Sequence, residues 1–357
     1  MGPLVGYDPS FFKGKRVLVT GDSGFKGSWL SLLLWSLGAD VTGYSLPANT
    51  AEDHFVVAGL AGKIRHVDGD LADTNLLAAT FREARPEIVF HLAAQALVQL
   101  SYREPVSTFT TNIIGSVNVL EAVRSTGNVR ALVFVTSDKC YKNKEWIWGY
   151  RETDELGGHD PYSASKAAAE LVFESYRLSF FSGDDAPGMA SVRAGNVIGG
   201  GDWSADRIIP DCIRALSKGR AIRIRNPDAT RPWQHVLEPV SGYMQLAAAL
   251  WDDPKRFSGP WNFGPNHGSH KSVLELAEAV IDNWGSGDLA IEPVLGAPHE
   301  AGFLHLNCDK VQNYLKWLPV WGFEETVRET VSWYKAGDKE AESLRQLGLY
   351  LESRKRK

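Results

Sequence analysis

Tyr162 and Lys166, in the stretch DPYSASKAAAELVF, stand four residues apart, so a helix would carry both on one face close to its start. A phenol titrates near pH 10 and is a poor base at neutral pH, but a neighbouring ammonium and an oxidised nicotinamide both favour the phenolate. Such a group takes the proton from a hydroxyl as hydride leaves the same carbon. One strand-helix unit upstream, ALVFVTS runs into Ser137, Asp138 and Lys139. A hydroxyl, a carboxylate and an ammonium in succession after an apolar strand need a reason. Strand carboxyl ends are where open α/β sheets hold ligands, so all three would be aimed at substrate, with Ser137 holding the reacting oxygen. Taken alone, a tyrosine and a lysine four apart also arise by chance.

The nicotinamide needs a place to bind. RVLVT runs into GDSGFKGSWL, with Gly21, Gly24 and Gly27 between a strand candidate and a helix candidate. Glycine permits a tight turn and close approach to a pyrophosphate, and a helix N-terminus favours negative charge. A structural turn has the same spacing; the position after the first strand of a βαβ series points to a dinucleotide. Phe25 in that loop, Asp70 and Leu71 after the third strand, and Leu92 and Ala93 after the fourth join Tyr162 and Lys166 as expected cofactor contacts. Asp70 suits an adenine amine and equally a strand-end turn. An acidic residue about 20 positions beyond the glycines would meet the ribose 2′-hydroxyl. Here the second strand ends in Ser45, and Asp40 only begins it. No arginine or lysine stands beside Ser45 to pair with a 2′-phosphate, so NAD is preferred to NADP.

These residues require a scaffold, and the chain supplies one by alternation. Strand candidates at 16–20, 40–45, 64–70, 87–93, 131–137 and 189–194 are separated by helix candidates at 25–37, 74–84, 105–125 and 162–182. Near-continuous apolar strands alternating with helices predict a Rossmann-type, doubly wound parallel sheet covered on both faces. After residue 195 the spacing loosens and Gly, Pro and Trp become frequent, as in GGGDWSADRIIP. We therefore expect a dinucleotide-binding domain over 1–195, with about 235–265 returning to it, and a smaller α/β substrate-binding lobe in most of 196–357.

The 357 residues are 44% hydrophobic and 23% charged, ordinary for a globular protein, and no run approaches the roughly 18 apolar residues of a membrane span. A net charge of −5 gives no general attraction to nucleic acid, and the basic tail Ser353 to Lys357 reads as solvated. The N-terminal MGPLVGYDPS lacks the basic start and apolar stretch of a signal peptide, so residence in the cytoplasm is expected. Cys140, Cys212 and Cys308 lie far apart without metal-ligand spacing; reduced thiols and no metal site are expected.

Longer stretches, GFKGSWLSLLL, HLAAQALVQLSYREP, VTSDKCYKN, RAGNVIGGGDW, RIIPDCIRAL and RPWQHVLEP, resemble the extended short-chain dehydrogenase/reductase superfamily and, within it, the nucleotide-sugar 4,6-dehydratases. The similarity runs from Phe12 to about Tyr334. It implies a nucleotide-sugar substrate, C4 oxidation, loss of water across C5 and C6, and return of the hydride to C6, with NAD regenerated each turnover. By position, Ser137, Tyr162 and Lys166 match the oxidation group, and Asp138 matches the acid that protonates the departing C6 hydroxyl. The family pattern follows that Asp with a Glu, assigned as the C5 base; this chain has Lys139 instead. Lys139 then either removes the C5 proton as a neutral amine, stays charged and stabilises the enolate, or is a surface partner of Asp138. Asn196 matches a position contacting the sugar-nucleotide phosphates, Arg207 and Arg231 suit the diphosphate, and His299, beside Glu300, falls near another substrate contact. Relatives pair the helices containing Gly115 to Val123 and Ala167 to Tyr176 across a two-fold axis, so a homodimer, extendable to a tetramer, is expected. A 4-epimerase shares the loop and the Tyr/Lys pair but needs no acid at C6; a non-catalytic dinucleotide sensor would lack pressure to keep these groups.

Overall fold

A computed structural model describes residues 8–265, 270–292 and 304–356; the expected contact at His299, with Glu300, lies outside them. Seven parallel strands form one sheet: β1 (Arg16–Thr20), β2 (Asp40–Ser45), β3 (Arg65–Asp68), β4 (Ile88–His91), β5 (Ala131–Val135), β6 (Gly188–Ala194) and β7 (Gly259–Phe263). Their spatial order is β7-β6-β5-β4-β1-β2-β3, so the chain winds one way from β1 to β3 and the other way from β4 to β7. This is a Rossmann-type doubly wound sheet. The winding reverses between β1 and β4, the crevice in which such sheets hold ligands at their carboxyl ends.

Alternation along each strand divides the core in two, because successive side chains point to opposite faces. Val17, Val19, Val133 and Val192 enter one cluster with Trp29, Leu33, Val240 and Trp261. Leu18, Val89, Leu132 and Phe134 enter the other with Leu77, Phe81, Leu120 and Phe173. The first face is covered by α1 (Phe25–Ser36) and the second by α2 (Thr74–Ala84), α3 (Gly115–Thr126) and α4 (Pro161–Phe180). Helix starts follow capping chemistry: Asp73 accepts the Leu76 N–H before α2, and Asp160 accepts the Ser163 N–H before α4, whose first residue is Pro161. The helix expected over 105–125 is broken. Between Pro105–Phe109 and α3, residues Thr110–Ile114 make a wider π-type turn, and its buried Asn112 bonds Gln95 and Ser165 instead of standing on a regular turn.

Beyond β6 the chain adds α5 (Ile208–Leu216), α6 (Leu237–Asp252), α7 (Val273–Trp284), α8 (Phe323–Lys335) and α9 (Lys339–Lys355). Two short ladders, Thr230–Pro232 with His270–Ser272 and Ile222–Ile224 with Leu289–Ile291, lie with α5 and α7 beside the carboxyl edge. Helix α6 packs on the sheet instead, and α8 and α9 add Trp333, Leu347 and Tyr350 to the first core cluster. Among the described residues, no helix is long and apolar enough to cross a membrane.

Glu238 on α6 ties these helices together. Its buried carboxyl accepts the Val320 and Trp321 N–H groups at 2.9 and 2.7 Å and the Tyr350 hydroxyl at 2.7 Å. Burial pushes its pKa from 4.5 to about 7, against the pull of those donors. The native state therefore holds a proton that the unfolded chain has already released, and stability falls as pH rises from 4.5 through about 7. Glu238→Gln should flatten that slope in urea titrations run across the window, while wild type loses stability across it.

Candidate active site

The carboxyl ends of β1, β4, β5 and β6 open into one cleft of about 1630 Å³, closed on its far side by the post-196 loops. All the expected site residues within the described regions line it: the glycine loop with Phe25, Asp70 with Leu71, Leu92 with Ala93, the Ser137–Lys139 run, Tyr162 with Lys166, and Asn196, Arg207 and Arg231.

Ser137 ends the β5 run and caps a short turn, Asp138–Cys140. Its Oγ accepts the Lys139 N–H at 3.2 Å and donates to Asp138 Oδ1 at 3.0 Å. Asp138 is buried, and Gly195 is what makes room for it: a Cβ there would stand 3.2 Å from Asp138 Oδ2. Burial raises the Asp138 carboxyl; Lys139, the Ser137 hydrogen bond and Arg231 pull it back down. The group therefore combines a reason to keep its proton with neighbours that stabilise its loss.

Tyr162 and Lys166 occupy the first two turns of α4, both buried. The Tyr162 N–H donates to Ser101 Oγ at 3.2 Å, fixing the start of the helix. Burial pushes the Tyr162 phenol up to about 12, opposed by its hydrogen bond with Ser137. Burial also pushes the Lys166 ammonium down to about 8, opposed by Glu170. Ser137 thus touches both the phenol and the carboxylic acid, which brings the β5 end and α4 into one chemical unit.

One turn past Lys166, Glu170 makes a buried ion pair with Arg193 of β6, with Nε and Nη2 donating at 3.0 and 2.8 Å. The same carboxylate accepts the Ser191 hydroxyl at 2.7 Å and the hydroxyl of Thr136, the residue before Ser137. Arg193 Nη1 donates to the Tyr141 hydroxyl at 2.7 Å, and that hydroxyl donates to Asn262 of β7 at 2.8 Å.

The cofactor end fits a dinucleotide on two counts. Gly21 has φ +78°, and a Cβ on it would lie 2.6 Å from the Ala93 nitrogen; a Cβ on Gly27 would lie 2.0 Å from the Gly21 carbonyl oxygen. No side chain caps α1, so the N–H groups of its first turn are left for an anion in the cleft. Asp70 Oδ1 accepts the Ala72 N–H at 2.9 Å, as a turn carboxylate does, while the residue still lines the cleft. Ser45 Oγ donates to Ser23 Oγ at 2.8 Å and joins the loop to the end of β2. On the substrate side, Arg207 pairs with Asp202 at 2.8 Å and Arg231 donates to the Thr230 carbonyl at 2.8 Å.

Sequence reasoning missed Lys26, which also lines the cleft, and the Glu170–Arg193 pair. A cation in the first turn of a helix after a glycine loop runs against the peptide dipoles, and that was the available signal. Glu170 gave none beyond its i+4 spacing from Lys166.

A doubly wound sheet with an uncapped glycine turn at β1, a serine at the end of β5 and a Tyr/Lys pair on the following helix defines an extended short-chain dehydrogenase/reductase. The chain belongs to the family described as GDP-mannose 4,6 dehydratase, whose model matches residues 18–330. It is 48% identical over 333 residues to CDP-glucose 4,6-dehydratase of Salmonella typhimurium, covering 92% of this chain and 93% of that one. UDP-glucose 4-epimerase of Mycolicibacterium smegmatis is 26% identical over 323 residues, 90% of this chain and 98% of that one. Among solved structures, Thermus thermophilus UDP-glucose 4-epimerase in complex with NAD aligns with a TM-score of 0.77 and 27% identity, covering 90% of this chain and 99% of that chain.

Breaking a buried pair leaves an uncompensated charge and costs about 3–5 kcal/mol, whereas removing both charges costs far less. Glu170→Gln should lose stability on that scale in thermal and urea unfolding, and Glu170→Gln combined with Arg193→Met should recover most of it.

Proposed function

We propose that this chain converts CDP-D-glucose to CDP-4-dehydro-6-deoxy-D-glucose, as an NAD-dependent nucleotide-sugar 4,6-dehydratase. The observation that carries the reading is Asp138: a buried acid hydrogen-bonded to the same serine that bonds the phenol of the oxidation pair. An epimerase has no leaving hydroxyl to protonate and gains nothing from an acid there. The 48% identity to CDP-glucose 4,6-dehydratase supports cytidine as the nucleoside.

NAD held along the glycine turn supplies the hydride acceptor for C4 and the donor for C6. Ser137 holds O4, and Tyr162 takes the O4 proton. Burial, with Asp138 and Asp160, holds the phenol at about 12 against Ser137 and Arg207, so Tyr162 needs further positive charge for its phenolate; the Lys166 ammonium one turn on is suited to that task, and Glu170 opposes the loss of its charge. Oxidation at C4 makes the C5 proton acidic, since its loss gives an enolate. Asp138 then protonates O6 as the C6–O6 bond breaks and water leaves. Asn196, Arg207 and Arg231 take the diphosphate. We assign the dinucleotide to residues 1–195 and the nucleotide sugar chiefly to the segments after 196.

Exposed apolar side chains on the α3 and α4 side, among them Ile114, Leu171, Leu178 and Phe180, support a homodimer through these helices. Gel filtration with light scattering reads the mass directly. We also infer a cytoplasmic enzyme of deoxysugar biosynthesis.

Incubation with CDP-glucose should give a 4-keto sugar, detected by the alkali-induced absorbance of its enolate; an isomerised sugar without that signal would favour the epimerase. A panel of nucleoside diphosphate glucoses then tests the cytidine preference. For Lys139, run in deuterated water, wild type should incorporate deuterium at C5 and Lys139→Met should lose most of it. Unimpaired exchange excludes Lys139 as the base and leaves it the task of stabilising the enolate.

A further inference from the structure

The turn that receives the cofactor contains a buried acid with no part in the dehydration chemistry. Asp22 stands between Gly21 and Ser23, both on the cleft, yet its own side chain is buried away from it. Gly43 of β2 makes the room, since a Cβ there would overlap Asp22 Oδ2. That oxygen accepts from Nδ1 of His66, the β3 residue opposite Gly43, at 2.7 Å. Among the described residues, Asp22 Oδ1 has no hydrogen-bond partner. On the other side of the ring, His66 Nε2 lies 3.0 Å from Asp68 Oδ1. An ionised carboxylate only accepts, so a ring with a carboxylate at each nitrogen donates from both, and that form is the imidazolium. The Asp22 hydrogen bond raises the His66 pKa above 6.5 against burial, and Asp68 adds to the rise. Charged groups on the surrounding elements are engaged elsewhere. Arg65 points to the opposite face of β3 and pairs with Glu83, Lys63 pairs with Glu340 at 2.8 Å, and Asp53 bonds Asn49 and Thr50. The short helix His54–Val57 presents the Phe55 ring to His66, with centroids 4.8 Å apart, while its His54 bonds Ser28 and Ser343.

We propose that His66 is a positioning residue for the cofactor: its imidazolium, held between Asp22 and Asp68, fixes the glycine turn and offsets the carboxylate buried in it, so that NAD and a proton on His66 bind cooperatively. Two physical effects act together. The first is charge. A turn that takes a pyrophosphate is a poor place for a buried carboxylate, because like charges repel strongly where water is excluded. With His66 charged, the pair is neutral as a whole, and the N–H groups at the start of α1 attract an anion without that opposition. The second is geometry. Asp22 belongs to the glycine turn, and Asp68 leads directly into Gly69 and Asp70, which line the cleft at the end of β3. One ring therefore ties two cofactor-binding segments together. Loss of its proton removes a donor from one of the two bonds and the compensating charge from Asp22. The sign follows from the raised pKa: the imidazolium is present below it and is lost as pH rises through it, and the hold on NAD weakens in the same direction. By linkage the effect is reciprocal, and bound NAD tightens the hold of His66 on its proton by the same factor.

The test follows that proton at its own site. NMR of the whole chain carrying isotope-labelled histidine is titrated with pH, once without NAD and once with NAD at saturation. This signal belongs to His66 alone, whereas a pH profile of affinity also contains Lys26 and Lys166, both lowered to about 8. The His66 signal is assigned by its loss in His66→Gln or, should that variant not fold, by the displacement of one titrating imidazole signal in Phe55→Leu. Without NAD the ring should titrate above 6.5, and with NAD at a higher pH still. Calorimetric titration of NAD should then show wild type losing about fivefold or more in affinity across the His66 transition, beyond any loss in His66→Gln, which keeps the contributions of the two lysines. A His66 titration that NAD leaves unchanged or lowers would make the histidine a structural tie only and overturn the proposal. So would a titration below 6.5 in the NAD-free protein, which marks a neutral ring.

Discussion

The ion pair between Glu170 and Arg193 is the constraint on which the site depends. It is buried on both sides, so its charges are affordable only because each remaining donor and acceptor finds a partner. Those partners belong to the elements that carry the chemistry: Thr136 beside Ser137, Ser191 on β6, Tyr141 on the loop after Asp138, and through Tyr141 the β7 residue Asn262. Glu170 itself sits on the helix that presents Tyr162 and Lys166. A displacement of α4 against β5 would break several charge-assisted bonds together. The Ser137–Tyr162 contact inherits its geometry from this pair.

Burial then sets the electrostatics, and it acts in opposite senses on neighbouring groups. It raises Asp138 toward the protonated form that an acid needs, raises Tyr162 away from the phenolate that a base needs, and lowers Lys166 toward neutrality. The first effect is useful as it stands. On the proposed roles the other two oppose function and are countered by placed groups, Glu170 for Lys166, and the Ser137 hydroxyl with the Arg207 charge for the phenol. Perturbed ionisation in a cleft is expected at a catalytic site, but here the corrections are as informative as the shifts.

Much of this could be read from the order of residues. Apolar runs of strand length alternating with helical periods lead directly to the sheet, and its expected strands differ from those found by a few end residues, as with Arg65–Asp68 inside 64–70. The glycine turn, the β5 terminus and the α4 pair were visible because each combines a local pattern with a position at a strand end. What escaped is non-local. Glu170 and Arg193 are 23 residues apart on different elements, and nothing in either segment announces the other. The π-type turn at Thr110–Ile114 depends on where Asn112 finds partners across the fold. Strand β7 lies within the 235–265 segment expected to return to the first domain but had no strand candidate of its own, because GPWNF is short and only pairing with β6 makes it a strand.

Proton bookkeeping imposes a final condition on the proposed cycle. Each turnover loads Tyr162 with the O4 proton and strips Asp138 of the proton that leaves in water, whereas the base that takes a proton from C5 later gives one back, after exchange with solvent, and so ends unchanged. The enzyme regains its starting state only when one proton has gone from the phenol to the carboxylate. Ser137 is hydrogen-bonded to both, donating to Asp138 Oδ1 at 3.0 Å. On the proposed cycle, a serine at the end of β5 therefore does more than hold a sugar oxygen: it stands between the residue that gains a proton and the residue that must recover one.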